Sequence, residues 1–482
     1  MKKFLSVATI LIMVVAGIMA VNGQTDFSRE RYRISINAQN QFVVDNGTLP
    51  IWINGVNTPW NNWNDFSGNN FDEAWWDNHF MHLAANGVNA SRIWISCNNN
   101  QGRSNNYGQE RIVFIDENGM VSGVSQQHWD HLDVLFEIAE RHKIYIMATL
   151  ISFDHFQYNE WSNAVPQRWH AMIQSPETID SFVQHYTIPF VNRFKDNPFL
   201  WSIDIINEPD WMHEGQGLAW EDISHFLARN AAAIRANSDI LVTVGMATSK
   251  YNSDSPGYEG NKVSDAFLQN LYPNPYAALD FWSPHYYDWV GEWYGHPFTR
   301  TPYGGRNNGG WELCPSKPAI IGEVGADGTL GRTATQQPSA NWTFTLTGES
   351  FTLAQDYENA FDNNWQGVMG WTSNGVDAYG TLDPATATII EVMDATRHMA
   401  ALHPLLIRPL LPPNMYGDVN GDGIINAADA TLLRRYIAAD DKSLFLQEHP
   451  NFNRANADIN RDGTIDLDDL ALLRQYLAAT SP

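Results

Sequence analysis

Trp201-Ser-Ile-Asp-Ile-Ile-Asn207-Glu208-Pro209 reads as an apolar strand ending in Asn-Glu-Pro, with a proline that stops the ladder directly after the carboxylate. Pro318-Ala-Ile-Ile-Gly-Glu323 is a second short apolar strand ending in Glu. Around both, strand-like runs alternate with helical ones. The candidate strands are Pro50–Ile53, Ala90–Ser96, Ile144–Leu150, Leu200–Ile206, Leu241–Met246, Leu279–His285, Ala319–Glu323 and Gly367–Trp371. Helical patterns follow most of them, at Phe71–Asn86, His128–Arg141, Ile179–Lys195, Trp220–Ala236, Ala354–Asn364 and Ile389–Leu402. This alternation predicts an α/β fold, the closed (β/α)8 barrel, whose functional groups sit where strands end. A doubly wound open sheet competes, but no glycine-rich phosphate loop follows the first strand.

Two glutamates at one barrel rim suit glycoside hydrolysis. One acid must protonate the departing oxygen, and one carboxylate must stabilise or attack the sugar cation that forms. The surrounding residues resemble glycoside hydrolase family five, across roughly residues 28 to 405. The resemblance implies that Glu208, preceded by Asn207 at the fourth strand, is the general acid/base and that Glu323 at the seventh is the nucleophile. It further implies supporting roles for Arg92 in Ser-Arg-Ile-Trp, for His285 and Tyr287 in His-Tyr-Tyr, and for Trp371 in Gly-Trp-Thr-Ser. Arg92 and Tyr287 would donate to Glu323, Asn207 would bind the sugar 2-hydroxyl, and Trp371 would form the floor under the ring being cleaved. Proximity of the two carboxylates would raise the pKa of Glu208.

Cellulase branches of that family usually carry Trp-His past the third strand; here the chain continues into Ile151-Ser-Phe-Asp-His155, closer to mannanase branches. His155 is a candidate to supply the missing function from a shifted position. Trp60, Trp63, Trp161, Trp211, Trp289 and Trp293 in rim loops would suit a long cleft and endo-action.

Two segments near the C-terminus repeat one pattern, Asp418-Val-Asn-Gly-Asp-Gly-Ile-Ile-Asn-Ala-Ala-Asp429 and Asp458-Ile-Asn-Arg-Asp-Gly-Thr-Ile-Asp-Leu-Asp-Asp469. Oxygen donors fall at loop positions one, three, five, nine and twelve, with Gly at six: Asp418, Asn420, Asp422, Asn426 and Asp429, then Asp458, Asn460, Asp462, Asp466 and Asp469. Ile424 and Thr464 occupy position seven, where a backbone carbonyl ligates. A matching apolar helix follows each loop. The duplicated unit resembles a dockerin, which implies two structural Ca2+ ions, a cohesin partner and attachment to a cellulosome.

Met1-Lys-Lys, the apolar run Phe4–Ala20 and Val21-Asn-Gly23 read as a secretory signal peptide, so the expected organisation is signal peptide 1–23, barrel 24–405, a stiff proline-rich linker 406–415 and dockerin 416–482. No second apolar run approaches spanning length, which predicts export without a membrane anchor. A net charge of -25 disfavours nucleic acid as partner. Cys97 and Cys314 are the only cysteines and cannot make a disulfide framework. His79/His82 and His128/His131 have helical spacing but no third ligand nearby, and read as core or surface residues rather than metal sites. Residues 333–351 read as a loop or small hairpin after the seventh strand. The reading is a secreted retaining endo-β-1,4-glycanase acting on β-mannan, with endo-β-1,4-glucanase and a non-catalytic carbohydrate-binding subunit as alternatives.

Overall fold

The computed structural model describes residues 27–62, 65–66, 71–96, 112–157, 164–287, 290, 297–305, 310–325, 332–338, 344–376, 385–410, 416–421, 424–460 and 464–480. The expected signal peptide, Trp63, Cys97, Trp161, Trp289, Trp293, Asp422 and Asp462 lie outside the described residues.

Eight parallel strands close into a barrel in sequence order. They are Ile53–Asn57 (β1), Ala90–Trp94 (β2), Tyr145–Ser152 (β3), Leu200–Asn207 (β4), Leu241–Met246 (β5), Ser283–Tyr286 (β6), Ile321–Gly325 (β7) and Gly367–Trp371 (β8). Helices on the outside include Glu73–Ala85 (α1), Gln126–His142 (α2), the run 176–194 with a π turn at Val183–Thr187 (α3), Trp220–Asn237 (α4), Asp265–Leu271 (α5), Leu353–Asp362 (α6) and Ala385–Leu402 (α7). Every described residue of the barrel strands is buried, as expected of parallel strands with helices outside and packed side chains within.

Strand β1 begins where the expected run ended. Leu49–Pro50 instead pairs antiparallel with Phe42–Val44 in a small sheet. The true strand, Ile-Asn-Gly-Val-Asn, hides behind its asparagines, which are buried because other backbone satisfies them. Asn54 Nδ2 donates to the Gly87 and Thr396 carbonyls at 2.9 Å each, and Asn57 Nδ2 donates to the Gly322 and Met369 carbonyls at 3.1 Å each. Strands β6 and β7 likewise start later than the apolar pattern suggests. The insertion after β7 is an antiparallel hairpin, Arg332–Pro338 with Phe344–Phe351.

The expected linker starts too early. Pro404–Ile407 forms a helical turn whose Leu405, Leu406 and Ile407 are buried. The Leu406 carbonyl accepts from Trp52 N, the Ile407 carbonyl from Asn89 Nδ2, and Arg408 Nη2 donates to the Ala84 and Val88 carbonyls. Residues 406–408 therefore belong to the packing of the barrel.

Beyond them, Ala427–Ala438 (α8) and Leu467–Thr480 (α9) follow the two repeated loops and pack on each other. The repeats are stitched together by Gly417 N to the Asn456 carbonyl at 2.7 Å, Asn453 N to the Val419 carbonyl at 2.8 Å and Asn456 Nδ2 to the Asp418 carbonyl at 2.8 Å. Helix α9 rests against residues 402–406 and Leu49–Pro50, away from the rim that carries Glu208 and Glu323. Among the described residues, no helix is long and apolar enough to cross a membrane.

Barrel closure between β8 and β1 is pinned by one side chain from α6. The buried Tyr357 hydroxyl donates to the Gly55 carbonyl at 2.8 Å and accepts from Gly370 N at 2.7 Å. Tyr357→Phe should cost about 1–3 kcal/mol, because it strips partners from buried backbone groups while keeping the ring. An unchanged denaturation midpoint in guanidinium would show that the hydroxyl does not pin the closure.

Candidate active site

Glu208 and Glu323 stand at the C-terminal rim of the barrel, where β4 and β7 end. Between them, on β6, His285 Nδ1 lies 2.8 Å from Glu208 Oε1 and 3.5 Å from Glu323 Oε1. The facing atoms of these three groups all lie within 4.8 Å of one another. They line a cleft of about 580 Å³ with Trp60, Trp94, Phe153, Asp154, Trp211, Tyr287 and Trp371.

Arg92 organises the site from below. It rises from β2 without exposure, and each of its five N–H groups has a partner. Nη1 donates to Glu323 Oε1 at 2.5 Å and Asn57 Oδ1 at 3.2 Å; Nη2 donates to Asp204 Oδ2 at 2.6 Å and Asn207 Oδ1 at 2.8 Å; Nε donates to Asp204 Oδ2 at 3.1 Å. Its guanidinium lies 4.2 Å from the centre of the Trp94 ring, and Trp94 meets Trp371 and Trp60 edge to face. The arginine fits only because β5 offers a glycine there. A Cβ at Gly245 would come within 2.6 Å of Arg92 Nη2 and 2.8 Å of His285 Nε2.

Glu323 receives two hydrogen bonds, from Arg92 and from the Tyr287 hydroxyl at 2.7 Å. Burial pushes its pKa above the ordinary carboxylate range; His285, Arg92 and Tyr287 pull it down. Glu208 sits in a left-handed backbone conformation, φ 49°, held by its N–H to the Gly245 carbonyl at 2.7 Å. Next in the turn, Asp210 Oδ2 accepts from Ala247 N at 3.0 Å, tying the same segment to the end of β5. Trp211 Nε1 donates to Glu208 Oε2 at 3.0 Å. The Glu208 pKa is pushed up to about 7. Burial is the main cause, opposed by Arg92 and reinforced by Asp154 and Asp204, so desolvation does what proximity of Glu323 was expected to do. His285 is pushed down to about 4 by burial and is neutral at working pH.

The structure thus gathers all seven expected residues, Glu208, Glu323, Arg92, Asn207, His285, Tyr287 and Trp371, around one cleft. Of the expected rim aromatics, Trp60 and Trp211 line it. His155 does not: it is buried, with Nδ1 against the Ser152 backbone and Nε2 3.2 Å from Ser96 Oγ, packed edge-on to Trp169. Its neighbour Asp154 takes the cleft position, held by Ser152 Oγ at 2.7 Å. Asp154, Trp94, Asn57 and Asp204 also belong to the site and were not among the expected residues. Of these only Trp94 has a local signal in the sequence, two residues after Arg92 and so on the same face of β2.

Glu208, His285 and Glu323 are close enough to hold a cation, the one such cluster among the described residues. Arg92 already occupies Glu323 Oε1, however, and a positive charge there disfavours a second one. The paired histidines are structural: His128 lies between the Phe66 carbonyl and the Tyr186 hydroxyl, His131 stacks on Phe71, His79 approaches Ser373 Oγ and stacks on Trp75, and His82 lies beside Asn86.

In the C-terminal unit, Asp418, Asp429 and Asp469 are buried. Asp429 is capped by the N–H groups of Asn420 and Asn426, Asp469 by those of Ile459, Asn460 and Asp466. In each loop the first and twelfth carboxylates repel: Asp418 pushes the Asp429 pKa up and Asp458 does the same to Asp469, each after burial as the larger cause. Carboxylates at the first and twelfth positions of each loop, with backbone donors turned to the twelfth, suit a hard divalent cation.

Residues 416–478 match the dockerin type I domain. A mannan endo-1,4-β-mannosidase of Mytilus edulis is 25% identical over 340 residues, spanning 62% of this chain and 85% of that protein. The crystal structure of the blue mussel β-mannanase superposes with a TM-score of 0.57 at 20% identity, over 77% of this chain and 96% of that one. An endo-1,4-β-mannanase of Eisenia fetida gives 0.58 at 17%, over 76% and 95%. The barrel has the fold of these β-mannanases, with two carboxylates paired at its rim. This chain joins such a barrel, of β-mannanase-like fold, to a C-terminal type I dockerin domain.

The neutral pKa of Glu208 can be read directly. In carboxyl-labelled protein, NMR should show a glutamate titrating near pH 7, absent from Glu208→Gln. Ordinary titration of every glutamate would contradict the buried setting described.

Proposed function

We propose that the chain is a secreted retaining endo-β-1,4-mannanase that docks to a cohesin through its dockerin domain. The observation that carries the retaining reading is the approach of the Glu208 and Glu323 oxygens to within 4.8 Å. Retaining glycosidases keep their carboxyl groups about 5–5.5 Å apart, whereas inverting ones leave roughly 6.5–9.5 Å for a water. Mannan is favoured by the names of the relatives and by a third-strand rim that turns His155 inward and presents Asp154.

Chemistry follows from the two environments. Glu208, buried and protonated below about pH 7, gives its proton to the glycosidic oxygen as that bond breaks. Glu323, aimed by Arg92 and Tyr287, attacks the anomeric carbon and forms a glycosyl ester. That step removes the Glu323 charge, so Glu208 holds a proton less readily and takes one from the incoming water, which releases the sugar with its configuration retained. Asn207, oriented by Arg92 Nη2, is placed to bind the 2-hydroxyl, and Trp371, backed by Trp94, offers its face to the ring. The two dockerin loops would hold two structural Ca2+ through Asp418, Asn420, Asp422, the Ile424 carbonyl, Asn426 and Asp429, and through Asp458, Asn460, Asp462, the Thr464 carbonyl, Asp466 and Asp469. These ions supply folding energy to a small module and no chemistry to the cleft.

Glu323→Ala should abolish turnover, and azide should then restore cleavage of an activated aryl mannoside with inverted product configuration. Glu208→Ala should still be glycosylated by good leaving groups and stall at deglycosylation. For the native enzyme, kcat/KM on mannan should fall as pH rises through about 7, where Glu208 loses its proton. Reducing-sugar release from cellulose derivatives but not mannan would overturn the substrate assignment.

Chelation should unfold residues beyond about 416 and abolish cohesin binding while hydrolysis persists, because α9 meets the barrel far from the cleft. Loss of both together, tracked by calorimetry and sugar release, would refute the independence of the two modules.

A further inference from the structure

Asp204 is fully buried on β4 and does not line the cleft, yet it takes as much of Arg92 as the cleft does. Its Oδ2 accepts from Arg92 Nη2 and Nε and from Thr149 Oγ1 at 3.1 Å, and its Oδ1 accepts from Gly245 N at 2.9 Å. One guanidinium is therefore shared between two carboxylates on opposite sides, Asp204 beneath and Glu323 above. We propose that Asp204 is a positioning residue: by sharing Arg92 it limits how tightly Glu323 is held, and through the same group it aims Asn207. The inference rests on the roles given above to Glu208 and Glu323.

An arginine with a single buried carboxylate partner gives that partner its whole field. Glu323 would then be a more stable anion and a weaker nucleophile. With Asp204 present its own negative charge offsets part of the Arg92 field at Glu323; burial is the larger reason that the Glu323 pKa stays above the ordinary range, with His285 and Arg92 pulling it down. The groups facing this centre are Arg92 from β2, Glu208 and the buried Asp210 just after β4, His285 from β6, Tyr287 just after β6 and Glu323 from β7, with Asp154 acting on Glu208 from beyond β3. Asp204 also pushes the Glu208 pKa up. Removing its charge should therefore lower the pKa of both catalytic glutamates in the same direction, which loss of packing alone would not do.

Asp204→Asn keeps the shape and removes the charge. In the full chain, its kcat/KM profile on mannan oligosaccharides should move to lower pH on both limbs by about half a unit or more. Its kcat should fall about tenfold or more with KM within about threefold of the native value. Thr149→Val withdraws one hydrogen bond from Asp204 and keeps every charge, so it should lower kcat several-fold with both limbs in place. Unmoved limbs in Asp204→Asn, or native kcat in Thr149→Val, would overturn the proposal; if Asp204→Asn is not recovered folded, as judged by circular dichroism, Thr149→Val decides alone. Full turnover by Glu323→Ala would instead defeat the reaction assigned above, so the two failures are distinguishable.

Discussion

The site depends on burying one arginine. Taking a guanidinium out of water costs several kcal/mol unless charge and hydrogen bonds replace the lost hydration. Arg92 meets that condition completely, with two carboxylates, two amide oxygens and the face of an indole. The condition reaches far into the sequence. Gly245 must lack a side chain to leave room, Thr149 and the Gly245 N–H must finish satisfying Asp204, and Asn57 must turn its oxygen up while its amide ties β7 to β8. Residues on six of the eight strands, β1 to β5 and β7, are thus committed to one cation before any substrate arrives.

From this anchor the two glutamates acquire different characters. Glu323 meets Arg92 and Tyr287 directly and can be an anion, whereas Glu208 receives one indole N–H and the neutral His285 and so keeps its proton near neutrality. Backbone strain at Glu208, of order 1–3 kcal/mol for such a conformation, is held in place by hydrogen bonds to the end of β5 on both sides of Pro209. The same guanidinium supports the aromatic wall, since Trp94 lies against it and braces Trp60 and Trp371.

The barrel, the two glutamates at its rim and the dockerin's repeated acidic loops are legible in the sequence because each leaves a local trace: alternating runs, a carboxylate at a strand end, a repeated spacing of oxygen donors. What it concealed depends on contacts between distant segments. Strand β1 reads poorly because its buried asparagines are satisfied by backbone from Gly87, Gly322, Met369 and Thr396. Asp204 was hidden by strand parity. Three residues before Asn207, it should face the opposite side of a regular strand, but Asp204 pairs with Thr243 and Asn207 with Gly245, so β4 carries one extra residue against β5 and both side chains reach Arg92. His155 failed the other way: it lay near the right place in sequence, and the 3-10 turn Phe153–Phe156 sent Asp154 to the cleft and the histidine inward.

Barrel and dockerin loops face one electrostatic problem. Each places carboxylates in a buried setting where desolvation first, and neighbouring carboxylates after it, oppose their ionisation. In the barrel the balancing charge is covalent, since Arg92 arrives with the chain and donates directly to Glu323 in a permanent frame. In the dockerin loops burial, and after it the charges of Asp418 and Asp458, oppose the ionisation of Asp429 and Asp469, and a hard divalent ion is a group whose size and charge suit such loops. A covalent cation makes the catalytic site independent of metal supply. An exchangeable ion, held as proposed for the dockerin loops, would make the docking module conditional on it, and because α9 rests on the base of the barrel rather than its rim, that condition need not reach the cleft.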